Sequence, residues 1–256
     1  MNSHTPPGAS LLVEGLGLEI GGATILKDVD LAVSPGALIG VIGPNGAGKT
    51  TLFNAVSGVV RPSAGRILLD DVDITGSSIA QRARAGLGRT FQTSSLFPRL
   101  TVLENVRLAA QAAEGGSYSM LRFPRRTDAA TERALELLAT VGLAHRAEAY
   151  AGDISHGDKR KLEIAVLLAT RSRLVLLDEP MAGVASGDVA GLVENIRALQ
   201  RDTGCTVLMV EHHIEVLMGL VDLVAVMYFG SIIAVDTPQR IMENPTVQSA
   251  YLGSAA

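Results

Sequence analysis

The sequence is poor in aromatic residues and cysteine, and it lacks tryptophan altogether. Aromatic residues make up 4% of its 256 residues, which argues against an aromatic-rich binding module. Cys205 is the only cysteine, so no intrachain disulfide can form, and its apolar neighbours suit a buried thiol in a reducing, cytosolic compartment. The net charge of -4 lacks the basic excess of nucleic-acid binders, so no nucleic-acid partner is predicted.

Long apolar runs are also missing. The nearest approach to a membrane span is the segment 219–235, but it carries Asp222 and is interrupted at Gly230-Ser231. A span needs about 20 mostly apolar residues, so we interpret this segment as two short strands joined by a turn. Residues 1–10 contain no basic start followed by an apolar stretch, and we expect a flexible N-terminus rather than a secretory signal. The chain is therefore expected to be soluble and to reach a membrane only through a partner.

What the chain does have is aliphatic material and glycine: 47% of it is hydrophobic, and it contains 27 glycines. Apolar patterning predicts strands over 11–20, 25–33, 37–42, 67–69, 174–177 and 206–210. Helical spacing predicts helices over 49–57, 101–113, 129–141, 159–170 and 189–201, the second with a capping box formed by Thr101 and Glu104. Strands alternate with helices in the last third, which predicts parallel pairing, and the helical middle is interpreted as an insertion into an α/β core.

A glycine-rich loop lies between the apolar strand 37–42 and the helix 49–57. It matches the pattern G-x-x-x-x-G-K-[ST] in Gly43, Pro44, Asn45, Gly46, Ala47, Gly48, Lys49, Thr50 and Thr51. Glycines let successive backbone N–H groups point at phosphates, and the helix N-terminus adds positive potential. Lys49 would place a cation near the β- and γ-phosphates, and Thr50 would offer a hydroxyl to Mg²⁺. The loop therefore predicts binding and hydrolysis of ATP.

Two carboxylates follow the apolar strand 174–177. Asp178 is expected to hold Mg²⁺ through water, and Glu179 to face the γ-phosphate and polarise the attacking water. The adjacent acids can have different roles because alternate side chains of a strand point in different directions. Together with the glycine loop these residues predict a phosphate-loop enzyme, a class in which GTPases, kinases and recombination ATPases remain possible.

Three further features occur in a fixed order: Gln92 in Arg89-Thr90-Phe91-Gln92, the segment Ile154-Ser155-His156-Gly157-Asp158-Lys159-Arg160, and His212 after the strand 206–210. This set resembles the ATP-binding subunits of ABC transporters over roughly residues 11–253. The resemblance implies a P-loop NTPase (RecA-like) α/β fold with a parallel-sheet core, an N-terminal antiparallel β subdomain and an inserted α-helical subdomain. The expected bounds are about 11–92 and 165–240 for the core and β subdomain, and about 93–164 for the helical subdomain.

The resemblance also implies roles for these residues. Gln92 would contact the nucleotide and its Mg²⁺, alongside Thr50 and Asp178. Two subunits would pair head to tail, so that Ser155 and the Gly157 N–H of one chain reach the γ-phosphate held by the phosphate loop of the other. His212 would contact the γ-phosphate and hold Glu179 and the water in line.

A narrower resemblance comes from Gly88-Arg89-Thr90-Phe91-Gln92, the insertion near 115–126 and the ending Ala250-Tyr251-Leu252-Gly253, which look like the branched-chain amino-acid importer ATPases. The segment 154–164 is similar to relatives associated with urea, amide or aromatic-acid uptake. The implied partners are transmembrane permease subunits, a second cassette that is identical or a paralogue, and indirectly a periplasmic solute-binding protein. The implied location is the cytoplasmic face of the inner membrane.

Two other functions stay open: a soluble ABC ATPase that acts on nucleic acid or ribosomes, and a nucleotide-dependent interaction module. Either internal packing or contact with a permease is possible for the apolar residues 96–98, which follow Gln92.

The chain departs from the family pattern at several positions. His156 replaces a glycine of the signature, and Asp158 replaces a glutamine, an acid that Lys159 or Arg160 would have to compensate. The stretch 183–186 lacks the usual Asp or Asn, and Ile20 stands where many relatives have an aromatic residue for adenine. With His156 and Asp158 in the signature, we expect a heterodimer whose two ATP sites are unequal.

Overall fold

The computed structural model describes residues 8–90, 96–113 and 128–252, and of residues 251 and 252 it describes the backbone only. The expected N-terminal tail lies largely outside these residues, and so does the insertion near 115–126. Within the described ranges, no helix combines the length and the apolar character that crossing a membrane requires.

Twenty elements follow one another along the described chain. They are β1 (Leu11–Ile20), β2 (Ala23–Val33), β3 (Leu38–Ile42), α1 (Lys49–Ser57), β4 (Ala64–Leu69), β5 (Val72–Asp73), α2 (Ile79–Arg84), β6 (Leu87–Arg89), α3 (Val102–Ala113), α4 (Ala129–Thr140), a 3₁₀ turn (Ala144–Arg146), α5 (His156–Thr170), β7 (Leu174–Asp178), α6 (Ser186–Thr203), β8 (Thr206–Val210), α7 (Ile214–Leu220), β9 (Leu223–Tyr228), β10 (Ser231–Asp236), α8 (Pro238–Glu243) and α9 (Pro245–Leu252).

These elements form two compact units. The sheet unit comprises 8–89, 173–179 and 204–252 of the described chain, and the helical unit comprises 90, 96–113, 128–172 and 180–203. The helical unit therefore includes α6 as well as α3, α4 and α5. The subdomain bounds expected from the sequence stay a prediction.

The sheet unit contains two sheets. A six-stranded sheet has the order β10-β9-β3-β8-β7-β6, in which all neighbours are parallel except the antiparallel pair β9 and β10. Strands β3, β7 and β8 are buried at every residue, as expected for the centre of a parallel sheet. The second sheet, β2-β1-β4-β5, is antiparallel throughout. The predicted fold class, with a parallel core and an N-terminal antiparallel sheet, is confirmed.

The helical unit is held together by helix packing. Helix α3 packs against α4 and α5, and α5 packs against α6. Helix α5 begins at His156, three residues before the predicted start, because Ser155 accepts a hydrogen bond from the Asp158 N–H and so caps the helix earlier.

The capping box predicted at α3 is only half present. The Thr101 Oγ1 accepts the Glu104 N–H at 3.1 Å, as expected. The Glu104 carboxylate, however, accepts two hydrogen bonds of 2.8 Å from the Arg107 guanidinium. Two charge-assisted bonds outcompete one backbone N–H, so the predicted return of Glu104 to the Thr101 N–H was wrong.

A buried arginine holds the end of α1. Arg82, on α2, is the largest fully buried side chain of the described residues. Its guanidinium donates to the carbonyl oxygens of Ala55 and Val56 at 2.7 and 2.6 Å, and of Thr75 and Ser77 at 2.9 and 3.1 Å. The last carbonyls of a helix lack partners within the helix. The Ala55 carbonyl also accepts the Gly58 N–H at 3.1 Å, so the Val56 carbonyl is the group at the end of α1 for which Arg82 supplies the donor.

Candidate nucleotide-binding site

The glycine loop joins the end of β3 to the start of α1, as the sequence predicts. Gly43 has a φ of 155°, and a Cβ at this position would lie 2.2 Å from the Met227 carbonyl oxygen. Gly48, with a φ of 102°, is the N-cap of α1, and its carbonyl accepts the first bond of the helix from the Leu52 N–H. Only glycine satisfies both positions, so the loop takes a path in which its backbone can curl around an anion.

Lys49 is the first residue of α1, and its side chain turns back over the loop. Its ammonium donates to the carbonyl oxygens of Gly43 at 2.6 Å and Pro44 at 3.0 Å. Burial lowers the pKa of Lys49, and the nearby Glu179 carboxylate opposes that change. A cation is thus held inside the loop at some cost in desolvation, which a bound phosphate would offset.

A cleft of about 330 Å³ opens beside the loop. It is lined by Ile25, Asn45, Gly46, Ala47, Gly48, Lys49, Thr50, Thr51, Glu179 and His212. Four separate segments of the chain therefore meet at one cavity, and all of them belong to the sheet unit. The sequence-predicted loop, Glu179 and His212 all line this cavity, and their roles stay predictions.

Glu179 and His212 are in direct contact. Glu179 follows β7 with a φ of 49°, and its N–H donates to the Val210 carbonyl at the end of β8. The His212 Nε2 lies 2.9 Å from the Glu179 Oε1. The buried Glu211 carboxylate accepts the His212 N–H at 3.1 Å and so fixes the backbone of the histidine. A left-handed backbone at a non-glycine residue is a strained conformation of the kind found at functional sites.

Asp178 is fully buried at the end of β7, and its Oδ2 accepts a 2.9 Å hydrogen bond from the Arg89 Nη2. In the sequence, Arg89 appears only as part of the motif that ends at Gln92. The feature that could have pointed to its role is its position, a basic residue at the end of a short strand. Carboxylate and hydroxyl oxygens such as those of Asp178 and Thr50 suit Mg²⁺, which takes its remaining ligands from phosphates and water. Among the residues that the structure describes, no three or more Asp, Glu, His or Cys residues are grouped so that they could hold a metal ion by themselves.

Ser155 and Gly157 lie at the start of α5, in the helical unit. The exposed Ser155 uses its oxygen to accept the Asp158 N–H, and its hydroxyl proton can still be donated. The Asp158 carboxylate lies 3.6 Å from the Lys161 Nζ. Of the two residues that the sequence offered to compensate this acid, Lys159 donates to the Gly152 carbonyl and Arg160 donates to Glu163.

His156 connects the start of α5 to the loop that precedes α6. Its Nε2 lies 3.0 Å from the Ala182 carbonyl oxygen, and its ring covers Gly183, where a Cβ would lie 3.0 Å from the same nitrogen. The loop is closed by the Val184 N–H, which donates to the Met181 carbonyl at 3.1 Å. The imidazole thus fills space that a signature glycine would leave open.

We expect His156→Gly to raise the hydrogen-exchange rate of the Val184 amide about fivefold, since a neutral hydrogen bond contributes roughly 1 kcal/mol. His156→Gln, which keeps a donor, should exchange more slowly than His156→Gly, and removal of the exposed His145 should change nothing. Equal exchange in wild type and His156→Gly would contradict the contact.

Gln92 lies outside the described residues, so its expected contact with nucleotide and metal stays a prediction. Of the other predicted site residues, the glycine loop, Asp178, Glu179 and His212 are in the sheet unit. Ser155 and Gly157 are in the helical unit.

Comparison with protein families gives two matches. A model described as "ABC transporter" matches residues 26–182, and a model described as "Branched-chain amino acid ATP-binding cassette transporter" matches residues 231–256.

Curated relatives match over nearly the whole chain. It is 39% identical over 250 residues to the high-affinity branched-chain amino acid transport ATP-binding protein LivG of Escherichia coli (strain K12), with 96% of this chain and 98% of LivG covered. It is 38% identical over 251 residues to the corresponding protein BraF of Pseudomonas aeruginosa, with the same coverage. Among solved structures, the ADP conformation of MJ1267, an ATP-binding cassette of an ABC transporter, superposes with a TM-score of 0.82 at 29% identity, covering 96% of this chain and 99% of MJ1267.

Proposed function

We propose that this chain, which belongs to the ATP-binding subunits of ABC transporters, works with Mg²⁺ to drive uptake of branched-chain amino acids or a related amino acid or amide. Within such an importer it is the subunit that hydrolyses ATP. The observation that carries the proposed chemistry is the cleft in which Lys49, Glu179 and His212 meet. The relatives LivG and BraF, both named for branched-chain amino acid transport, support the proposed cargo.

The proposed reaction is attack of water on the γ-phosphorus with cleavage of its bond to the bridging oxygen. Glu179 accepts the proton of the water, and His212 holds the Glu179 carboxylate through their 2.9 Å contact. Lys49 and the backbone N–H groups of the loop neutralise charge on the phosphates. Asp178, Thr50 and Gln92 would hold Mg²⁺, which supplies further neutralisation of phosphate charge.

A second cassette would complete the site. Ser155 is exposed at the N-terminus of the 15-residue helix α5, where the helix dipole favours an anion. We propose that Ser155 and Gly157 reach the γ-phosphate bound by a partner cassette, which is an identical copy or a paralogue. His156 and Asp158 add groups that most signatures lack, so the half-site that this chain lends differs from an ordinary one, and with a paralogue as the partner the two ATP sites would be unequal.

The surface at residues 97 and 98 suits a permease. Phe97 is 58% exposed, and Pro98 is exposed beside it. The Asn105 side chain accepts the Phe97 N–H at 2.8 Å and donates to the Phe97 carbonyl at 3.2 Å. These two bonds hold the backbone of Phe97 in place and so position its exposed ring. We propose that this surface docks a cytoplasmic segment of a transmembrane permease. The chain would then lie on the cytoplasmic face of the inner membrane, linked only indirectly to a periplasmic solute-binding protein.

Lys49→Ala tests the proposed function. We expect it to lower ATP hydrolysis by the purified chain about 10²–10³-fold, because a cation that stabilises the transferring phosphoryl group is lost. In cells that lack the wild-type gene, Lys49→Ala should fail to restore uptake of labelled leucine, whereas the exposed Lys27→Ala should restore it.

Two results would overturn the proposal in different ways. Wild-type chain that does not hydrolyse ATP with Mg²⁺ would refute the chemistry. Normal leucine uptake in the deletion strain, together with lost uptake of urea or an aromatic acid, would refute the cargo and replace it.

A further inference from the structure

Arg89 bridges two elements of the nucleotide site, helix α1 and the end of strand β7, a contact that was not predicted from the sequence. From the end of β6, its Nη1 donates to the Asn54 Oδ1 at 2.8 Å and to the Ser57 Oγ at 2.7 Å, both on α1. Its Nη2 donates to the Asp178 Oδ2 at 2.9 Å, at the end of β7. The side chains of Arg89 and Asp178 are 7% and 1% exposed. One buried guanidinium therefore holds both a helix and a carboxylate.

The geometry of this bridge depends on arginine. A guanidinium is planar and presents its donors in a fixed fork, so one ion can bind α1 on one side and Asp178 on the other. A lysine ammonium is a single point charge on a flexible stem and cannot keep both directions. Because the ion pair is buried, solvent screens it little, and the pair fixes the carboxylate more firmly than a surface pair would.

The bridge links two of the three residues proposed to hold the metal, Thr50 and Asp178. Helix α1 runs from Lys49 to Ser57 as one short rigid element, with Thr50 in its first turn and the Arg89 contacts in its last two turns. Asp178 lies at the other end of the bridge. The separation between Thr50 and Asp178 is therefore set partly by Arg89.

We infer that Arg89 is a positioning residue that fixes the Asp178 carboxylate relative to α1 and thereby sets the affinity of the site for the divalent cation of the nucleotide. The inference rests on the proposed function, since it assumes that Asp178 and Thr50 hold that cation. Groups that orient metal ligands typically contribute 10–100-fold to metal affinity or activity.

The test uses Mn²⁺ as a spectroscopic probe of the cation site. Electron paramagnetic resonance would measure the Mn²⁺ dissociation constant of the full chain saturated with a non-hydrolysable ATP analogue. We expect Arg89→Lys to weaken Mn²⁺ binding about 10–100-fold. Binding of the analogue in EDTA should change less than threefold. The exposed Arg84→Ala, on the neighbouring helix α2, is the matched control and should bind Mn²⁺ as the wild type does.

A second variant separates positioning from loss of the fold. Asn54→Ala with Ser57→Ala keeps both buried charges but removes the anchors of the guanidinium on α1, so it should also weaken Mn²⁺ binding, by about tenfold. If Arg89→Lys does not fold, this double variant decides the question.

The outcomes distinguish the inference from the proposed function. Wild-type Mn²⁺ affinity in Arg89→Lys, or in the double variant where Arg89→Lys does not fold, overturns the role of Arg89 and leaves the ATPase assignment standing. Absence of Mn²⁺ binding by the wild-type chain with the analogue overturns both.

Discussion

Glu179→Gln should bind ATP with nearly wild-type affinity and hydrolyse it roughly 10²–10⁴-fold more slowly, the usual contribution of a general base. The amide has almost the same shape as the carboxylate and can still accept a hydrogen bond from the His212 Nε2, which lies 2.9 Å from the Glu179 Oε1. It cannot take the proton of the attacking water. The proposed chemistry therefore predicts a loss of turnover without a loss of binding.

Two measurements check this expectation. Phosphate release under single-turnover conditions measures the rate of the chemical step. Size-exclusion chromatography with ATP should show that Glu179→Gln accumulates as a dimer, whereas the wild-type dimer dissociates after it hydrolyses ATP. The exposed Glu215→Gln, on α7, is a control of identical chemistry and should behave as the wild type does. Full activity of Glu179→Gln would remove this carboxylate from the proposed role.

The parts of the site that the sequence predicts are those fixed by local chemistry. A buried strand, a glycine loop and a helix start follow one another at 38–49, and the observed α1 has the predicted bounds. The contact between Glu179 and His212 was expected from the family resemblance. The fold explains it, because each residue follows one of two neighbouring parallel strands and such strands end at the same edge of a sheet.

What the sequence did not predict depends on partners far away in the chain or on a choice between nearby partners. Arg82 and Arg89 are ordinary basic residues in the sequence, and only the fold shows that each is buried against α1. Glu104 has the spacing of a capping box but finds Arg107 instead. Polar side chains choose among several partners whose energies differ by about 1 kcal/mol, so spacing alone does not decide the choice.

Arg82→Met should cost about 2–4 kcal/mol of the free energy of unfolding. The substitution removes the donor to the Val56 and Thr75 carbonyls, and each buried carbonyl left without a partner costs roughly 1–3 kcal/mol. Part of this is offset, because burial of the cation, which lowers the pKa of Arg82, is itself unfavourable and only partly relieved by Asp73. A chain of this size should lose roughly 4–16 °C in melting temperature.

The exposed Arg84→Ala, two residues away on α2, should melt within about 1–2 °C of the wild type, since surface substitutions change stability by about 0.5 kcal/mol or less. Equal melting temperatures for Arg82→Met and Arg84→Ala would mean that water replaces the guanidinium at the end of α1.

Saturating ATP stabilises any folded form by an amount set by ligand concentration and affinity. If Arg82 supports the fold and not the nucleotide contacts, ATP should raise the unfolding free energy of wild type and Arg82→Met equally, and the difference between them should persist. A gap that widens with ATP would show instead that the end of α1 also shapes the loop at Lys49.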